Sequence, residues 1–75
     1  MGRPTAEFGL TKRSMTLAGH RTSVALEPEF WAAVETIAAQ RGQPLAAYVA
    51  EIDAARPPGQ PLASTLRLAA LRDRS

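Results

Sequence analysis

The sequence predicts a mainly α-helical chain led by a short β-ribbon, extended by a third helix at its C-terminal end and completed by a second copy of itself. Three observations predict it. Residues 21–26 alternate with period two, the two stretches that follow carry apolar residues at helical spacing, and the alternating strand has no partner within the unit it leads.

The strand comes first. Thr22, Val24 and Leu26 alternate with Arg21, Ser23 and Ala25. One face is apolar and the other basic or small, as in a half-buried strand, and β-branched Thr22 and Val24 suit a pleated surface. Glu27-Pro28 ends the strand, because proline's fixed φ and missing N–H belong at the first turn of a helix. Glu27 and Glu29 place negative charge where the helix dipole favours it.

The first helix is expected over about 28–41, with Phe30, Ala33, Val34, Ile37 and Ala38 as its apolar stripe and Trp31 on its border. Gly42 is a left-handed stop. A second helix is expected over about 44–55, with Leu45, Tyr48, Val49 and Ile52 on its stripe, and Pro57-Pro58-Gly59 terminates it. An unpaired strand leaves its backbone groups unsatisfied. The simplest remedy is an antiparallel strand from a second chain, with Val24, Leu26, Trp31, Val34, Ile37, Val49 and Ile52 forming the dimer core.

The stretch R-T-S-V-A-L-E-P-E-F-W, then a helix, then R-G-Q-P-L and a second helix, resembles the ribbon-helix-helix family of Arc/MetJ-type DNA-binding proteins. The preceding K-R-S-x-T-L-A-G-H-R-T-S-V is similar to a bacterial subgroup with an extra N-terminal segment. The resemblance covers about half of the chain. It implies an intertwined homodimer, double-stranded DNA as partner and a role in transcription regulation. It also implies that outward residues of the ribbon read base edges, which here means Arg21, Ser23 and Ala25. Arg21 suits guanine, Ser23 suits several bases, and Ala25 can meet only a thymine methyl. Phosphates would be met by Lys12 and Arg13 and by backbone amides at Gln43 and Leu45, where the second helix begins. Pro44 departs from the Ser or Thr that many relatives carry there, and it removes both an N–H and a capping hydroxyl.

The remaining segments divide the chain into an arm over 1–11, the core over 12–56, a proline-rich linker over 57–61 and a helix over 62–75. The segment Lys12–Gly19 is open between two readings. It alternates, with Arg13, Met15 and Leu17 against Lys12, Ser14 and Thr16, so 12–17 could be an extra strand turning back through Ala18-Gly19. It could equally be an arm reaching phosphates. In the last helix Leu62, Leu66, Ala69 and Ala70 share a face, and Leu68 and Leu71 lie off it.

Seventy-five residues make one small domain, which gains much from oligomerisation, metals or disulfides. The chain has no cysteine and one histidine, His20, so disulfides and thiolate or histidine metal sites are not expected. No cofactor is called for, and no nucleophile, base or metal set points to an enzyme. Charge is segregated. Arg3, Lys12, Arg13 and Arg21 outnumber Glu7 in the first third, acids dominate 27–55, and Arg56, Arg67, Arg72 and Arg74 face only Asp73 at the end. A doubled basic ribbon would attract phosphate. With no signal-peptide or membrane-spanning run, a cytoplasmic protein is expected. The rival function is a protein-interaction module or an antitoxin-like protein, with the same dimer and a protein partner bound through the C-terminal helix.

Overall fold

The computed structural model describes residues 9–73. Most of the expected arm over 1–11 and the last two residues of the expected helix over 62–75 fall outside that range. Two strands, β1 (Thr11–Leu17) and β2 (His20–Leu26), form an antiparallel hairpin. The segment that the sequence leaves open between strand and arm is therefore β1. The register pairs Lys12 with Ala25, Ser14 with Ser23, Thr16 with Arg21 and Leu17 with His20.

The hairpin closes through two residues, Ala18 at φ +51° and Gly19 at φ +87°. Positive φ at both central positions is the type I′ pattern, whose twist matches that of the flanking strands. Glycine takes this conformation freely, whereas Ala18 holds a Cβ in a region that disfavours one.

Alternation divides the hairpin into two faces. Met15, Leu17, Val24 and Leu26 are buried on the inner face, with Arg13 and Thr22 half-buried beside them. The inner face rests on three helices, α1 (Pro28–Gln40), α2 (Leu45–Ala54) and α3 (Leu62–Asp73). Glu27 is the N-cap residue of α1, and its carbonyl accepts from the amides of Phe30 and Trp31 at 2.9 and 3.0 Å. At the other end Gly42 adopts φ +67°. Its amide then reaches Ala39 O at 3.0 Å and that of Gln43 reaches Ala38 O at 2.9 Å, the paired bonds of a Schellman stop.

One chain buries the core. Val24, Leu26, Trp31, Val34, Ile37 and Val49 are buried with Met15, Leu17, Tyr48, Leu66 and Ala70, and Ile52 packs half-buried against them. These side chains do not need a second chain for their burial. β1 supplies in cis the strand partner expected from a second copy, and α3 lies against β2, α1 and α2 as an integral layer.

The stripe of α1 is also turned relative to the expected one. Trp31 is 1% exposed at its centre, and Phe30 sits half-buried at the edge. The cause is β1, since the Trp31 indole N–H donates to Thr11 O at 2.7 Å and thereby locks the ring under the hairpin. Trp31 therefore seals β1 against α1 within one chain.

Candidate nucleic-acid interface

The outer face of the hairpin carries Lys12, Ser14 and Thr16 from β1 and Arg21, Ser23 and Ala25 from β2. All are exposed except Ala25, which is half-buried. Strand alternation alone places these six on one side, away from the helices. Directly opposite side chains in such a ribbon interact. Ser14 Oγ and Ser23 Oγ are 3.2 Å apart, and Arg21 Nη1 donates to Thr16 Oγ1 at 3.3 Å.

The electrostatics of this face follow from which cations are already engaged. Arg13 pairs with Glu35, Arg41 with Asp73 at 3.5 Å and Glu51 at 3.9 Å, Arg56 with Asp53 at 3.0 Å, and Arg67 with Glu27 at 2.9 Å. No described acidic residue pairs with Lys12, Arg21 or Arg72, and the first two share the outer ribbon face. That face holds no carboxylate of its own, since residues 9–26 contain neither Asp nor Glu. An exposed ribbon with three hydroxyls and two cations that pair with no described acid can meet an anionic, hydrogen-bonding ligand.

The structure distributes the other expected contact residues differently. Arg13 lies on the inner face of β1, because one step along a strand reverses the side. Its guanidinium stacks 4.6 Å from the centre of the Trp31 ring and reaches Glu35. The Gln43 amide is used by the helix stop on Ala38 O, and its side chain donates to Glu51 Oε1 at 3.3 Å. Leu45 is half-buried at the first position of α2. The first bond of that helix runs from the Tyr48 amide to Pro44 O, so the amides of Leu45, Ala46 and Ala47 have no partner inside the helix.

Ser14 and Thr16 belong to the outer face, although the sequence reading assigns them no contact. Their signal was the alternation of residues 12–17. It becomes informative once the two-residue Ala18-Gly19 loop sets the register that brings them opposite Ser23 and Arg21. His20 is exposed at the hairpin end, opposite Leu17. No group of three His, Cys, Asp or Glu side chains is placed to hold a metal ion among the described residues, and no described helix is long and apolar enough to cross a membrane.

The profile of a family described as ribbon-helix-helix domain matches residues 10–73, a span that takes in both strands and all three helices. No curated protein matches the chain, and no solved structure does.

Proposed function

The chain belongs to the ribbon-helix-helix domain family, and from that premise we propose that it is a sequence-specific DNA-binding protein, a transcriptional regulator whose β-ribbon enters the major groove. The observation that carries this reading is the outer ribbon face. Among the described residues Lys12 and Arg21 stand there without ionic partners, whereas Arg13, Arg41, Arg56 and Arg67 are engaged elsewhere. Two strands about 4.8 Å apart make a ribbon narrow enough for a major groove of about 12 Å.

Phosphates supply most of the affinity in such a complex and base edges supply the selection. Lys12, a compact point charge, suits phosphate. Arg21 suits guanine, Ser23 and Ser14 accept or donate to several bases, and Ala25 presents a methyl. The amides at the start of α2 add a phosphate contact through Leu45. The protein acts as a homodimer in this reading, so the operator is a palindrome with two equivalent half-sites.

A second reading, a module for a protein partner, is favoured by Leu68 and Leu71. These side chains of α3 are 44% and 53% exposed. Selection from random duplex DNA at two salt concentrations separates the two readings. A palindromic sequence, affinity that falls steeply with salt, and loss of selection in Arg21→Ala support the regulator. Binding without selection that disappears at physiological salt overturns it and leaves the protein-partner reading.

A further inference from the structure

The outer face of the hairpin carries a cross-strand side-chain pair beside its turn. Thr16 and Arg21 stand directly opposite one another, one step from the Ala18-Gly19 turn. The Arg21 guanidinium donates through Nη1 to Thr16 Oγ1 at 3.3 Å. A two-residue turn is the shortest closure of a hairpin, so this pair lies where the register is most firmly held. Threonine is β-branched and stiff at χ1, which fixes the acceptor in space.

We propose that Thr16 is a positioning residue for base recognition, holding the Arg21 guanidinium so that its free edge faces a guanine. The inference rests on the DNA-binding reading above and adds to it a specificity determinant from β1. Arginine has five donors in a planar fork. The bond to Thr16 uses one N–H of Nη1 and leaves the Nε–Nη2 edge free. Two parallel N–H donors on that edge match guanine O6 and N7.

The rest of the outer face gives this corner its weight. Ser14 and Ser23 lie within hydrogen-bond distance of each other in the middle of the ribbon. Lys12, at the far end and on the opposite strand, carries a charge without a fork. Arg21 is thus the one bidentate donor on the face. A ribbon of this composition selects one dominant G·C step in each half-site and tolerates variation beside it. A long side chain that is already held loses less freedom on binding than a free one, which accounts for a gain of roughly fivefold in preference at that step.

The test is selection from random duplex DNA by the full chain and by three variants, Arg21→Ala, Thr16→Val and Thr16→Ser, with thermal unfolding of each. Thr16→Val keeps the shape and strand preference and removes the hydroxyl, and Thr16→Ser keeps the hydroxyl. The expected result is one G·C step that Arg21→Ala abolishes, that Thr16→Val weakens by roughly fivefold, and that Thr16→Ser retains. A purely structural role for Thr16 would lower binding to all sequences alike and leave the base preference unchanged. If the full chain selects no sequence, the DNA reading itself fails and this inference with it. If it selects one but Arg21→Ala changes no step, or if Thr16→Val leaves the Arg21 step intact, or if Thr16→Ser loses it, the positioning role is overturned while DNA binding stands.

Discussion

The guanidinium of Arg13 lies over the Trp31 ring, 4.6 Å from its centre, and reaches the carboxylate of Glu35 one turn further along α1. With the indole N–H bonded to Thr11 O, this contact fastens β1 to α1 and sets the direction in which the outer ribbon face points. Lys12, the neighbouring residue, projects from the opposite side of the same strand.

Adjacent cations on one strand should therefore behave differently. Arg13→Ala should lower stability by about 1 kcal/mol, the sum expected of an exposed cation–π contact and an exposed ion pair. It should leave the salt dependence of DNA binding unchanged. Lys12→Ala should leave stability within about 0.5 kcal/mol and reduce the slope of log affinity against log salt by about 1. Thermal unfolding and a salt titration check both. A reduced salt slope in Arg13→Ala would show that its clamp opens to reach phosphate.

Arg67 grips Glu27 with two bonds, Nε to Oε1 at 2.9 Å and Nη2 to Oε2 at 3.2 Å. This hydrogen-bonded guanidinium holds the Glu27 carboxyl below the usual carboxylate range, with help from its backbone and from the charge of Arg67. A depressed folded-state pKa means that the unfolded chain takes up the proton first as pH falls. The contribution of Glu27 is therefore complete above the ordinary carboxylate range and is lost as pH falls through the lower folded value. Glu27→Gln should flatten that part of the acid-unfolding curve, leaving the loss caused by other groups. Thermal unfolding of both proteins between pH 7 and pH 2 measures it, and parallel curves would count against the pair.

Ala18 holds φ +51° at the first central position of the hairpin turn. Asparagine tolerates that region better than alanine and is favoured before glycine in this turn. Ala18→Asn should raise stability by roughly 0.5–1 kcal/mol, and β-branched Ala18→Val should lower it by at least as much. Urea unfolding at fixed temperature is the readout. Selection by Ala18→Asn should be unchanged, because the turn keeps the register that places Thr16 against Arg21.

Leucines of α3 divide into two groups. Leu66 is fully buried, whereas Leu68 and Leu71 are exposed. Leu66→Ala should cost about 2–5 kcal/mol, and Leu68→Ala or Leu71→Ala about 0.5 kcal/mol or less. If the exposed pair meets a protein partner or a second copy, the double variant Leu68→Ala with Leu71→Ala should abolish that association and leave the unfolding temperature nearly unchanged. Unfolding together with sedimentation distinguishes the two roles.

Much of this architecture can be read along the chain, because it depends on residues within a few positions of each other. Alternation from Arg21 to Leu26 marks a half-buried strand, Pro28 and Gly42 mark a helix start and stop, and the apolar face of 62–73 marks another helix. The outward set Arg21, Ser23 and Ala25 follows from the same period of two. Other features depend on partners distant in sequence. Alternation identifies a strand without naming its neighbour, so only the folded chain decides between the two readings of 12–17 and pairs β2 with β1. Arg13 looks like any exposed cation until Trp31 and Glu35, about twenty residues away, come to lie beneath it. The Gln43 amide looks free until the left-handed turn at Gly42 points it back to Ala38. Backbone periodicity is encoded locally, whereas the choice of contact is settled by the competition for burial and hydrogen bonds across the whole fold.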